Sequence, residues 1–294
     1  MFEYELNFLQ MLEGMRTDFL NTLFETVTTL GEETLLVLFM TVIYFVFDKK
    51  LAQRVFFITV ASLGVNGIIK NFAKIPRPWT TGEVTCVRPD TATGYSFPSG
   101  HTQNVASWTF AFAFKLKKHL ITVLSCIATV AVAFSRIYLG AHYPSDVVVG
   151  AILGIGFAIV GNYIYDKVPN KNLLHGIVTL ILTPFAIVFL FAGDPHYADF
   201  YKLYGLFAGF FLAVMFEEKY VALDCNQVAW KKCIRVVIGI IVAVAIKEGL
   251  KTFFSSLDIS SVVSVSLIMD FMRYFAIALA ELAICPLLFK KVNI

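Results

Sequence analysis

The chain has 294 residues, of which 58% are hydrophobic and only 15% charged, and its mean hydropathy is +0.74. Soluble domains average nearer 45–50% apolar and about 25% charged, so this composition excludes an ordinary soluble domain and points to the membrane. A net charge of +3, with the basic residues scattered between apolar runs, excludes a nucleic-acid-binding stripe.

The first 25 residues place Tyr4, Phe8, Met11 and Met15 at helical spacing among polar neighbours. They read as an interfacial amphipathic helix running into the first span, because Glu3, Glu5, Glu13, Arg16 and Asp18 disfavour a crossing. The acidic start also excludes a cleavable signal peptide. Nine apolar segments follow, at about 30–47, 51–72, 102–117, 119–138, 145–165, 173–193, 199–217, 231–253 and 267–289. Runs of this length cross a bilayer as helices, and none shows the alternation of a barrel strand. The expected fold is therefore an all-α polytopic membrane bundle of about nine transmembrane helices.

Lysine and arginine collect in alternate loops: Lys49, Lys50 and Arg54; Lys115, Lys117 and Lys118; Lys167 and Lys171; Lys219, Lys231 and Lys232; and Lys290 with Lys291. By the positive-inside rule these loops are cytoplasmic. Nine spans then put the N-terminus outside. The loop at residues 73–97, rich in proline, glycine and threonine, reads as a lid or substrate-contact region. Gly150-x3-Gly154 and Gly205-x3-Gly209 read as close helix contacts. The five cysteines show no close metal spacing and no disulfide framework, and Cys126 and Cys285 read as small packing residues.

Three polar clusters fall on the opposite, non-cytoplasmic side. Lys70 and Arg77 end the second span, with Pro76 and Pro78 holding the Arg77 backbone in a restricted conformation. Pro98-Ser99-Gly100-His101 precedes a helix, where Ser99 suits an N-cap and Gly100 gives free amides to an anion. Arg136 closes one span. His142 precedes Pro144, and Asp146 follows His142 by four residues, at a spacing that lets a carboxylate fix the imidazole tautomer. Three cations, a hydroxyl and backbone donors around one anion form a cage for a transferring phosphoryl group. In that cage His142 would attack phosphorus and His101 would protonate the leaving oxygen. No metal or other cofactor is called for, since the carboxylate cluster a metal would need is missing.

Lys70-x6-Arg77-Pro78, Pro98-Ser99-Gly100-His101 and Ser135-Arg136-x5-His142-x3-Asp146 resemble all three signature motifs of the type-2 phosphatidic acid phosphatase superfamily. The resemblance covers about residues 20–170. It implies a helical bundle and metal-independent hydrolysis of phosphomonoesters or diphosphates. It also implies His142 as the phosphohistidine residue, Asp146 as its orienting acid and His101 as general acid. Lys70, Arg77, Ser99, Gly100 and Arg136 become phosphate ligands. On this basis residues 1–25 are the interfacial helix, 26–170 the phosphatase core, and 171–294 a four-helix transmembrane extension.

A site at the outer membrane edge suits a lipid phosphate or diphosphate of the undecaprenyl diphosphate, phosphatidylglycerophosphate or phosphatidate type. The expected setting is a bacterial cell membrane with the site facing outward. A soluble sugar phosphate is the alternative substrate, because nine spans and the run Ser135-Arg136-Ile137-Tyr138-Leu139 also resemble glucose-6-phosphatase. The superfamily's vanadium haloperoxidases are soluble, which argues against their activity here. Lys247, Glu248, Lys251, Asp270, Arg273 and Glu281 in the last two spans raise a transporter as a second alternative. The simpler reading is that all but Glu281 pair near the outer interface and hold two helices together. The extension itself would line a lipid-access groove or a contact in a homo-oligomer.

Overall fold

The computed structural model describes residues 2–257 and 262–294, and every regular element among them is helical. The helices are α1 (Phe2–Glu13), α2 (Asp18–Thr28), α3 (Glu33–Val42), α4 (Lys49–Ala73), α5 (Gly100–Leu116) and α6 (His119–Tyr138). They continue as α7 (Pro144–Lys167), α8 (Lys171–Ala192), α9 (Ala198–Phe216), α10 (Ala229–Ser255), α11 (Val263–Leu279) and α12 (Cys285–Lys291). Two compact units emerge: residues 1–36 with 65–166, and residues 37–64 with 167–294.

Among the described residues, six segments are long and apolar enough to cross a bilayer, or seven if the bent pair α2–α3 counts as one span. These are Lys49–Thr81, His119–Tyr138, Pro144–Lys167, Lys171–Ala192, Pro195–Val221 and Val263–Lys291. The protein is thus an integral membrane protein, but the expected count of nine is not confirmed. The segment at 102–117 is a helix of 17 residues, about 25 Å long, which is short of the hydrocarbon thickness. Its Thr102, Gln103, Asn104, Ser107 and Thr109 are buried inside the protein. The segment at 231–253 is helical but carries Lys231, Lys232 and Arg235 near one end and Lys247, Glu248 and Lys251 near the other.

Residues 1–25 differ from expectation too. They form two helices, α1 and α2, separated at Gly14–Thr17, and Thr17 caps α2 through its hydroxyl. Tyr4, Phe8, Met11 and Met15 do lie exposed. The opposite side of α1 buries Leu9 against Val84 and Tyr143. This helix is therefore a clamp on the 73–97 loop and on the turn before α7. Glu5 accepts from the Ser145 N–H at 2.7 Å and so supports the start of α7. Arg16 donates to the Tyr138 carbonyl at 3.1 Å and to the Thr85 hydroxyl at 2.8 Å.

Close helix approach in each unit depends on glycine. A Cβ at Gly150 would lie 2.7 Å from the Ser99 carbonyl oxygen, and one at Gly154 would lie 2.7 Å from that of Gln103. In the other unit, a Cβ at Gly205 would collide with the Phe271 carbonyl, and one at Gly209 would lie 2.6 Å from that of Phe275. Both glycine pairs thus act as expected, seating α7 on α5 and α9 on α11. Cys285 is buried in its packing, whereas Cys126 faces outward on α6, against expectation. Asp270 pairs with Arg273 on its own helix at 2.6 Å, rather than with α10. Gly205→Ala is expected to destabilise the protein by about 2 kcal/mol or more, read as a lower unfolding midpoint in detergent. An unchanged midpoint would contradict the tight α9–α11 crossing.

Candidate active site

Every residue expected at the site falls in the unit formed by residues 1–36 and 65–166. Helix α4 delivers Lys70 in its last turn and ends at Lys74, whose φ of 49° is left-handed. Arg77 follows at the start of the loop. Ser99, Gly100 and His101 open α5, Arg136 closes α6, and Asp146 lies in the first turn of α7. Between α6 and α7 the chain turns at Gly140, where φ is +73° and a Cβ would strike the Thr85 carbonyl. That turn carries His142 into the interior.

Lys70, Arg77, Ser99, Arg136, His142 and Asp146 are all buried, and Arg136 is fully so. Burying such cations is costly unless donors find acceptors, and the 73–97 loop supplies them. Arg77 donates through Nε to the Gly94 carbonyl at 2.9 Å and through Nη2 to that of Thr93 at 2.5 Å. Its Nη1 reaches the Ala141 carbonyl at 2.9 Å and His142 Nε2 at 3.1 Å. Arg136 contacts the Thr91 carbonyl and the hydroxyls of Thr91 and Thr28, each at 3.3 Å. The loop expected to contact substrate is thus also the cradle of two arginines.

The Arg77 contact fixes the state of His142. A guanidinium only donates, so Nε2 must accept and the ring proton sits on Nδ1. Nδ1–H then donates to Asp146 Oδ2 at 3.2 Å. The same oxygen accepts from the Tyr143 N–H at 2.9 Å and from the Ser96 hydroxyl. Burial, followed by the charges of Arg77, Arg136, Lys70 and His101, holds His142 well below the usual histidine value of 6.5. A neutral imidazole with its Nε2 lone pair amid cations is equipped to attack an anionic, electrophilic centre.

The second cluster is locked to the third through backbone: the Ser99 N–H donates to the Asp146 carbonyl at 3.0 Å. Ser99 holds the N-cap position, but its hydroxyl pairs with Thr102 Oγ1 at 3.1 Å and does not cap the helix. A Cβ at Gly100 would lie 4.0 Å from Lys70 Nζ, which brings the first and second clusters together. Asn66 adds to the join, donating to Gln103 Oε1 at 2.8 Å and to the Pro98 carbonyl at 3.3 Å. Sequence reasoning missed Ser96, Thr91, Thr28 and Asn66. Each is a common polar residue whose spacing to the clusters is not diagnostic.

A family model described as the PAP2 superfamily matches residues 51–169, and one described as the PAP2 superfamily phosphatase transmembrane extension matches residues 201–294. A probable sphingosine-1-phosphate phosphatase of Dictyostelium discoideum is 25% identical over 211 residues, covering 64% of this chain and 50% of the relative. A lipid A 1-phosphatase of Rhizobium etli is 34% identical over 72 residues, covering 24% of this chain and 30% of the relative. Phosphatidylglycerophosphatase B of Bacillus subtilis is 34% identical over 96 residues, covering 28% and 45% respectively. The chain spans half or less of the length of these relatives.

In the ligand-free protein, nitrogen-15 NMR of His142 is expected to show the Nδ1–H tautomer and titration below 6.5. Arg77→Ala should move that titration upward, because one of its depressing charges is gone. With the folded value depressed, the unfolded chain takes the proton first. The contribution to stability is therefore complete above about pH 6.5 and is lost as pH falls through the folded value. Titration at or above 6.5 would contradict the assigned network.

Proposed function

Because this chain belongs to the PAP2 superfamily, we propose that it hydrolyses phosphate or diphosphate esters of membrane lipids through a phosphohistidine intermediate at the non-cytoplasmic face. The observation that carries the reading is the His142 pairing, with Nδ1 on Asp146 and Nε2 against Arg77. In the first step the Nε2 lone pair attacks phosphorus and the bond to the leaving oxygen breaks. His101 gives that oxygen its proton. His101 then takes a proton from water, which attacks phosphorus and breaks the P–N bond, returning His142 to its starting state.

Lys70, Arg77, Ser99, Gly100 and Arg136 are the proposed phosphate ligands. As phosphate enters, Arg77 Nη1 passes from Nε2 to a phosphoryl oxygen, which frees the lone pair at the moment it is needed. The charge of the three cations then falls where negative charge spreads in the transition state. The division into residues 26–170 as catalytic core and 171–294 as extension accompanies this reading.

The outward orientation is supported by charge. Within the site-bearing unit, α5 and α7 start at the site and α6 ends there. The opposite ends of α5 and α6 carry Lys115, Lys117 and Lys118, the cytoplasmic signature. A lipid substrate is supported by the three relatives, named as phosphatases of sphingosine 1-phosphate, lipid A and phosphatidylglycerophosphate. The alternative of a soluble sugar phosphate requires no chain-binding surface, and chain length separates the two.

Phosphate release from undecaprenyl diphosphate, phosphatidate, phosphatidylglycerophosphate and glucose 6-phosphate is the test. Activity is expected on lipid substrates, to persist in EDTA, and to be inhibited by vanadate, which adopts five-coordinate geometry. His142→Ala should reduce turnover by a factor of about 10⁴ or more, given the cost of losing a nucleophile. Near-normal release by that variant would overturn the nucleophile, full loss in EDTA the metal-free route, and a sole preference for glucose 6-phosphate the lipid assignment.

A further inference from the structure

The unit formed by residues 37–64 and 167–294 buries two glutamates, and they are treated differently. Glu217 is fully buried and meets Lys49 Nζ at 2.9 Å and the Leu223 N–H at 2.7 Å. Glu281 is 5% exposed, yet its Oε2 receives one hydroxyl, from Thr41 at 3.3 Å. Its Oε1 has no hydrogen-bond partner among the described residues, and no cationic side chain lies within ion-pair distance. A carboxylate taken out of water without compensation is too costly to persist, so Glu281 either takes a proton or meets a cation.

Glu281 lines a partly open cavity of about 40 Å³. Two further buried groups of the lining also lack partners among the described residues: Tyr44 Oη, which can accept, and Gln53 Nε2, which only donates. The remaining lining is apolar and aromatic, with Phe45, Phe56 and Phe210 prominent. Gly239 of α10 contributes to the enclosure: its missing Cβ would lie 3.1 Å from Glu281 Oε2 and 3.2 Å from the Phe45 ring. Two unpartnered oxygens able to accept, Glu281 Oε1 and Tyr44 Oη, in an aromatic cavity form the polar end of a site.

The donor set selects the ligand. A bare metal cation needs several oxygens at short range, and this cavity offers one carboxylate and two hydroxyls. The described residues contain no grouping of three histidine, cysteine or acidic side chains. An organic ammonium fits better, since its N–H groups satisfy Glu281 and Tyr44 while aromatic faces favour its charge. A cavity of this size takes ~3 water-sized groups, enough for the ammonium and its first carbons. The apolar lining suits a hydrocarbon continuing outward.

We propose that this cavity binds an alkyl-chain ammonium, with the cation against Glu281 Oε1 and its chain along the apolar wall. This site is separate from the residues assigned to phosphate hydrolysis and is independent of that assignment.

Calorimetric titration of the full chain in an uncharged detergent, with dodecylammonium, dodecanol and methylammonium as probes, tests it. Dodecylammonium is expected to bind at least tenfold more tightly than either of the others. Glu281→Gln should weaken it at least tenfold, and Tyr44→Phe, which keeps the ring, several-fold. Both variants should retain the unfolding midpoint and phosphate release of the parent. Equal affinity for dodecanol, or unchanged affinity in Glu281→Gln, would show that Glu281 is simply protonated and overturn the ammonium site. Equal affinity for methylammonium would overturn the chain-bearing ligand.

Discussion

The burial of Arg77 is the constraint around which the site is arranged. A guanidinium in that position must find acceptors, and it takes carbonyls from Thr93, Gly94 and Ala141. That demand constrains the course of the 73–97 loop, which must bring the Thr93 and Gly94 carbonyls inward. It also settles the histidine, because the remaining N–H points at Nε2 and excludes a proton there. Ser96 and Asp146 then define where the other ring proton goes. Loop path, tautomer and carboxylate orientation are consequences of the same buried cation.

Helix geometry made one part of the third cluster legible in the sequence. His142 and Asp146 lie four residues apart at a helix start, and that separation brings their side chains together. The glycine pairs were legible for a similar reason, since two small residues four apart make a helix-long groove. What supports the clusters was not. Thr91, Thr28 and Ser96 lie far from their partners in sequence, and a lone hydroxyl in a loop carries no periodic signal. The count of spans is least legible where composition and burial diverge. Hydropathy cannot distinguish α5, which buries polar residues against protein, from a lipid-facing crossing. The break at Gly14–Thr17 was masked by amphipathic spacing that continues across it.

The N-terminal segment gains a meaning that its sequence pattern concealed. Its acids argue against a crossing, but two of them are structural: Glu5 at the start of α7, and Glu13 on the Thr85 amide at 3.2 Å. Arg16 joins the same loop to the end of α6. Charges that looked like solvent-facing residues of an interfacial helix tie the surroundings of the site together. A mutation in α1 would therefore be felt by the 73–97 loop through hydrogen bonds, without any change in the site's own residues.

Asp146 serves the site with two separate parts of itself. Its carboxylate orients His142, while its main-chain carbonyl holds the Ser99 amide and hence the helix start that presents His101. Only the first of these belongs to the side chain. Side-chain replacement at this position erases the orientation of one histidine and leaves the join between the starts of α7 and α5 in place. Conventional scanning is therefore blind to half of what this residue does. The second half becomes visible only by altering the peptide bond itself, for example by replacing the Ser99 amide with an ester.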